Sequence, residues 1–238
     1  MDAFGRTRLL IGEENLEKLK KSSVALFGAG GVGGFAAEAL ARSGVGSITV
    51  FDNDTVKESN LNRQIIATAY NIGTDKTEAI KARLKSINPD IKVHCEKVFY
   101  LPENADKYDL SGFDYILDAV DTVSAKITLA VKANSLGVPI ISSMGTGGKL
   151  NPLLLSVGDV FETEGCPLAR VMRRELKKAG VDKLKVVWSP EKPIKADPRI
   201  SDAEENDGRK PLQPSMIFVP ACAGIIMANE AIKHIISK

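Results

Sequence analysis

Eight residues constrain this chain most: "FGAGGVGG", Phe27 to Gly34, holds five glycines and follows directly on the apolar run "SVALF". Gly28, Gly30 and Gly33 fit the spacing GxGxxG, with a strand pattern before them and the helix pattern "VGGFAAEALARSG" after. In that setting each glycine has a mechanical task. The first permits a tight turn, the second removes a Cβ that would block a phosphate, and the third lets helix and strand pack closely. The helix start then offers free N–H groups and a positive dipole end to an anion, and Gly31 belongs to the same cradle. Asp52 ends the run "SITVFD", 19 residues after Gly33, where a carboxylate can accept ribose hydroxyls. A nucleotide site is expected; which nucleotide is left open.

The rest of the chain alternates apolar strands with amphipathic helices. "IKVHCEKV", "YILDAVD" and "PIISSM" read as further strands, and "EENLEKLKK", "DKTEAIKARLKSIN" and "AKITLAVKANSLG" as helices. Such alternation predicts a Rossmann-like, doubly wound α/β fold, its sheet mostly parallel and its ligands at the carboxyl ends of the strands. One domain is expected over 1–238, with a nucleotide-binding core over 1–150 and a substrate-side extension over 151–238. In the extension "LLLSVGDV" reads as a strand, "CPLARVMRRELKKAG" as a helix and "LKVVWS" as an edge strand, so this part of the sheet is expected to be antiparallel. Residues 189–214 hold five of the eleven prolines and eleven charged side chains, which predicts a mobile loop. The closing "SMIFVPACAGIIMANEAIKHIISK" reads as a strand followed by a core helix.

Composition excludes several alternatives. Charged residues make up 26%, and no run approaches the roughly 20 apolar residues of a spanning helix, so no membrane partner is expected. Nothing near the N-terminus resembles an export signal, which leaves the cytoplasm as the expected compartment. Cys95, Cys166 and Cys222 are scattered and form no CxxC pair, against both a disulfide framework and a structural zinc site.

After Asp52 the chain does not turn straight into a helix. It runs "DNDTVKESNLNRQIIATAYNIGTDK", bringing Asp54, Asn60, Asn62, Arg63 and Gln64 toward the crevice and placing Lys76 in the first turn of the next helix. Cations there would lie beyond an adenosine, where a triphosphate carries its charge; the other reading is a solvated loop. A hydride-transferring enzyme has little use for them. The strand "YILDAVDT" ends in Asp118 and Asp121. Asp121 suits Mg²⁺, which binds through one or two carboxylates plus phosphate oxygens, whereas Asp118 reads as a satisfied structural acid.

Together "GAGGVGG", "DNDTVKESNLNRQ", "GTDK" and "DAVDT" resemble the ATP-binding signature of the ThiF/MoeB superfamily, whose members adenylate carboxylates. The resemblance covers roughly residues 5–150. It implies that ATP and Mg²⁺ are used, that Asp52 holds the ribose, and that Asn60 and Arg63 contact the phosphates. It further implies that Lys76 sits on the triphosphate, that Asp121 serves the metal, and that Asp54 and Gln64 lie in the same site. It also implies a homodimer, in which an arginine near the N-terminus reaches the partner's ATP; Arg8 in "FGRTRLLIG" is the better match and Arg6 the second. Over the whole chain, "PLARVMRREL" and "VPACAG" included, the sequence is similar to the bacterial branch that dehydrates N6-threonylcarbamoyladenosine in tRNA. That branch activates the threonine carboxylate with ATP and closes a ring, releasing AMP and pyrophosphate.

The alternative within the superfamily is activation of the C-terminus of a ubiquitin-like sulfur-carrier protein, and a sulfur-transfer partner protein stays open under either reading. Cys166 is the one thioester candidate, and a small residue at a helix start explains it better. For tRNA, the segment 170–185 carries seven basic residues, Arg170, Arg173, Arg174, Lys177, Lys178, Lys183 and Lys185, against Glu175 and Asp182. With Leu168, Val171, Met172, Leu176 and Ala179 as the buried stripe, these cations either follow a phosphate backbone or merely solubilise a helix face.

Overall fold

The computed structural model describes residues 2–197 and 213–238. The middle of the expected mobile loop, residues 198–212, lies outside the described residues. A seven-stranded sheet forms the centre, in the order β3-β2-β1-β4-β5-β7-β6. Its strands are β1 (Ser23–Phe27), β2 (Ser47–Phe51), β3 (Lys92–Glu96), β4 (Tyr115–Asp118), β5 (Ile140–Ser143), β6 (Ser156–Asp159) and β7 (Lys185–Trp188). All neighbours pair in parallel except β6 with β7.

The central strands are apolar on both faces because helices cover both. Val24 and Leu26 of β1 join a core with α3 (Gly33–Ser43), α4 (Lys76–Ile87) and the last helix, α7 (Phe218–Ile236). Ala25 and Phe27, the alternate residues, join a second core under α5 (Val123–Leu136). A third cluster seats α6 (Pro167–Lys178) against α5 and β7. Two short helices, α1 (Gly5–Ile11) and α2 (Glu13–Lys21), precede β1.

Strand order reverses between β1 and β4, so their carboxyl ends diverge and open the crevice that a doubly wound sheet offers a ligand. The glycine loop leaves β1 there and the turn bearing Asp121 leaves β4.

Three expectations need correction. "SMIF" forms no strand: 213–217 is an irregular strap leading into α7, which already begins at Phe218. "LKVVWS" is not an edge strand; β7 lies between β5 and β6, and the antiparallel β6 takes the edge, the chain returning inward through α6. The 19-residue α7 is long and apolar enough to cross a membrane by length and composition, but half of it is buried, and it packs along α3 through Gly224 against the Val32 carbonyl. It is a core helix.

Candidate active site

The glycines of the loop divide into two kinds. Gly28 has φ +90°, and a Cβ there would stand 2.7 Å from the Ala119 oxygen beyond β4. A Cβ on Gly33 would fall 1.8 Å from the Gly28 oxygen. Packing requires both. Gly30 has no left-handed φ, and its missing Cβ would meet only Gln64 Nε2, at 3.9 Å. The fold leaves that space open, and an open approach to backbone amides is what a phosphate needs.

Asp52 stands beside this loop with its carboxylate fixed by backbone donors: Ala29 N–H at 2.7 Å to Oδ2 and Asp54 N–H at 2.8 Å to Oδ1. Each oxygen keeps a lone pair for a ribose hydroxyl. The segment 58–64 folds into tight turns against the glycines. Asn60 is buried, its Oδ1 accepting Lys57 N–H at 3.1 Å and its carbonyl accepting the amides of Arg63 and Gln64, so it shapes the turn that carries both. Arg63 donates from Nη1 to the Ser59 carbonyl at 2.8 Å and to Asn62 Oδ1 at 2.9 Å. No carboxylate among the described residues pairs with it, and burial lowers its pKa. A half-buried guanidinium without a counter-ion is an anion site in waiting. Gln64, 7% exposed, faces Gly30, and its Oε1 lacks a partner. Such an unsatisfied buried amide is completed by ligand or solvent.

Lys76 is 6% exposed at the start of α4 and donates to Asp54 Oδ2 at 2.9 Å, while its amide bonds the Asp54 carbonyl. Asp54 therefore fixes Lys76 two residues beyond Asp52. Asp121 is exposed just beyond the carboxyl end of β4; among the described residues only the Thr122 hydroxyl, at 3.4 Å, bonds it, so its carboxylate is available to a cation. Asp118 is not: fully buried, it accepts Ser142 Oγ at 2.6 Å, Lys126 Nζ at 3.1 Å and Val120 N–H at 3.2 Å. One free carboxylate plus phosphate oxygens is a donor set Mg²⁺ accepts, and Asp121 would hold it. Among the described residues there is no cluster of three or more His, Cys, Asp or Glu side chains that would hold a metal unaided.

Arg8 does not join this group. It lies on α1, paired with Asp2 at 2.9 Å and with Glu13. The Phe4 ring before it packs 3.6 Å from the Cβ position of Gly44, at the far end of α3 from the glycine loop. The 11 residues of α3 put roughly 16 Å between Arg8's neighbourhood and its own crevice. Arg6 is exposed on the same short helix. Leu9 and Leu10 beside them are 77% and 85% exposed.

Cys166 is buried at the start of α6, as a small packing residue would be. Met172 and Leu176 are buried on that helix as expected, with Ala169 in place of the exposed Ala179. Arg174 and Lys178 share Glu175, and Arg173 bonds the Thr163 carbonyl at 2.7 Å. Arg170, Lys177 and Lys183 are exposed and carry no ion pair or side-chain hydrogen bond among the described residues.

Two features escaped sequence reasoning. The Asp118–Lys126–Ser142 network had a signal: Lys126 shares the i, i+3, i+4, i+7 stripe of Leu129, Ala130 and Ala133, where an ordinary lysine would be out of place. The contact of Asn62 Nδ2 with the Ser215 carbonyl, at 3.0 Å across 153 residues, had none.

Among the described residues the crevice thus joins backbone donors, a fixed carboxylate at Asp52, two cationic side chains and one free acid, with no activated nucleophile. That equipment positions phosphates and stabilises charge on them. Comparison with known proteins agrees. The chain is 41% identical over 98% of its length to the tRNA threonylcarbamoyladenosine dehydratase of Bacillus subtilis, covering 94% of that protein. The crystal structure of the Escherichia coli tRNA N6-threonylcarbamoyladenosine dehydratase in complex with ATP superposes with a TM-score of 0.87 at 32% identity, covering 99% of this chain and 94% of that one. The adenylyltransferase and sulfurtransferase UBA4 of Kluyveromyces lactis matches at 37% identity over 62% of this chain and 34% of its own. Residues 4–238 match the ThiF family. A glycine loop at the β1–β4 switch point, the Asn60–Gln64 turn with its unpaired arginine, and similarity along nearly the full length have one reading: the chain belongs to the ThiF family.

Proposed function

We propose that this protein uses ATP to dehydrate N6-threonylcarbamoyladenosine in tRNA, adenylating the threonine carboxylate and releasing pyrophosphate and then AMP. The observation that carries the adenylating step is Arg63, a half-buried guanidinium with no carboxylate partner among the described residues, held against the glycine loop. The choice of substrate is supported by likeness to the Bacillus dehydratase along 98% of the chain, where the carrier-activating protein matches 62%.

In this reading the Gly30 and Gly31 amides and the start of α3 receive phosphate oxygens, and Asp52 accepts the ribose hydroxyls. Arg63 turns its free N–H groups to the phosphates, Asn60 and Gln64 hold that turn, and Lys76 leaves or shares Asp54 to neutralise charge on the triphosphate. Mg²⁺ at Asp121 would neutralise the remaining phosphate charge. The substrate carboxylate attacks the α-phosphorus in line; one P–O bond forms as the bond to pyrophosphate breaks, and no protein nucleophile is needed. The acyl adenylate is then attacked by the carbamoyl group of the same side chain, a ring closes, and AMP departs with one former carboxylate oxygen.

Arg8 fits as the partner protomer's contribution in a homodimer: it is remote from its own crevice, beside Leu9 and Leu10, an apolar pair that a second copy would cover. Mixing Arg8→Ala and Asp52→Ala chains should restore about one working site per heterodimer, and absence of complementation counts against it. Within 170–185, exposed Arg170, Lys177 and Lys183 are the cations without an ion pair among the described residues, free to meet tRNA phosphates, in the cytoplasm where tRNA is found. The whole reading is tested by supplying ATP and Mg²⁺ with either threonylcarbamoylated tRNA or a sulfur-carrier protein. Pyrophosphate release and conversion of the nucleoside with tRNA only is expected; adenylation of the carrier with untouched tRNA would replace this reading by the carrier-activating one.

A further inference from the structure

Asn62 spends both ends of its amide on two different parts of the molecule. Oδ1 accepts from Arg63 Nη1 at 2.9 Å, and Nδ2 donates to the Ser215 carbonyl at 3.0 Å. Ser215 lies in the strap 213–217. That strap is tied at one end to the loop after β5, where Gly148 N–H donates to the Pro214 carbonyl at 2.6 Å and the Gln213 side chain packs 3.3 Å from the Cβ position of Gly147. At its other end it runs into α7, whose Pro220 packs 3.4 Å from the Cβ position of Gly31 in the glycine loop. Between these anchors Met216, Ile217 and Phe218 are exposed and bury too little apolar surface to hold the strap themselves. Asn62 supplies the side-chain tie at its midpoint.

We infer that Asn62 is a positioning residue that links occupancy of the phosphate site to the order of the 213–217 strap on the substrate side of the crevice. The physical route is short. Arg63 Nη1 is already committed to Ser59 and Asn62, so phosphate oxygens engage its remaining N–H groups. A guanidinium pinned by phosphate holds Nη1 in place, and Nη1 then fixes which end of the Asn62 amide points at the arginine. That orientation leaves Nδ2 toward Ser215. With Arg63 held by Ser59 and Asn62 alone the pair is less firmly fixed, the exposed Asn62 amide rotates more readily, and the Nδ2 tie to Ser215 is weaker. Triphosphate binding therefore orders the strap before the acid substrate arrives. The inference rests on the adenylating reading of the crevice, but its test does not require turnover.

The test measures amide hydrogen exchange at residues 215–218 with and without α,β-methylene-ATP, in the full chain and in Asn62→Ala and Asn62→Gln, with the analogue's Kd measured alongside. In the unaltered chain the analogue should slow exchange by ~5-fold or more, the low end of ordinary coupling between sites. Asn62→Ala should bind the analogue within about 3-fold of the unaltered chain yet show no added protection, and Asn62→Gln, which keeps a donor and an acceptor, should recover part of it. Equal protection in Asn62→Ala, or none in the unaltered chain, overturns the inference. So does a loss of analogue binding of about 10-fold or more in Asn62→Ala, because Asn62 would then act on the nucleotide alone. Turnover of modified tRNA is read separately. Coupled protection without dehydration leaves Asn62 in its role and removes the proposed substrate.

Discussion

Alanine at Gly30 and at Gly33 should separate stability from nucleotide binding. At Gly33 the new Cβ would lie 1.8 Å from the Gly28 carbonyl oxygen, a backbone atom that cannot swing aside, so the loop must shift by more than about 1 Å. Overpacking of this kind costs roughly 1–3 kcal/mol, and the upper end applies because the obstacle is main chain. At Gly30 the Cβ meets nothing closer than Gln64 Nε2 at 3.9 Å. The lower entropy of the unfolded alanine chain then leaves stability unchanged or raises it by about 0.4–1 kcal/mol. The same methyl occupies the approach to the loop amides, so affinity for ATP should fall at least ~10-fold, about 1.4 kcal/mol. Urea unfolding read with its slope gives the first quantity, and calorimetric titration with α,β-methylene-ATP gives the second. The reasoning fails if Gly30→Ala loses more than about 1 kcal/mol of stability, binds ATP normally, or proves less stable than Gly33→Ala.

Lys126→Met removes donors to Asp118, Ser142 and Ser143 and strands a buried carboxylate; it should cost about 3–5 kcal/mol, much of it recovered in the double variant with Asp118→Asn, as a urea double-mutant cycle would show. Glu38 ties α3 to α4: burial opposes its charge, but hydrogen bonds from Arg83 and Arg42 hold its pKa below the usual 4.5. Its stabilisation is therefore present above about pH 4.5 and lost as pH falls through the lower folded value, so Glu38→Gln should be about 2 kcal/mol less stable at neutral pH and lack that part of the acid loss in a pH series of melts. Replacing Arg170, Lys177 and Lys183 together by alanine should lower the slope of log tRNA affinity against log salt by about 2, with ATP affinity unchanged; an unaltered slope removes this face from the tRNA surface.

Most of the fold and much of the crevice could be read from the chain because they rest on local pattern. Apolar runs such as "SVALF" and "YILD" made strands, and the helices that alternate with them made the crossovers a parallel sheet needs. The GxGxxG spacing placed the loop, and the polar run after Asp52 placed Arg63 and Lys76 beyond it. What escaped depends on contacts between distant segments. Whether β7 is inner or edge is decided by where β6 returns, which no periodicity in "LKVVWS" encodes. "SMIF" has the composition of a strand, yet it pairs with none and becomes a strap and helix start, tied by Asn62 from 153 positions away. The sequence reading of Asp118 as a satisfied acid anticipated its state but not its partner, although Lys126 stands on the apolar stripe of α5, where its position was the available signal. The separate tasks the motif assigns to Gly30 and Gly33 are visible in the packing: a Cβ on Gly33 would meet the Gly28 carbonyl at 1.8 Å, whereas one on Gly30 would stand in open space.

The account stands on a carboxylate attacking the α-phosphorus of ATP. The most direct test labels the threonine carboxylate of the tRNA substrate with ¹⁸O and follows the label by mass spectrometry through one turnover. One labelled oxygen should appear in AMP, with unlabelled pyrophosphate as the other product. Unlabelled AMP, or ADP with inorganic phosphate in its place, would contradict it.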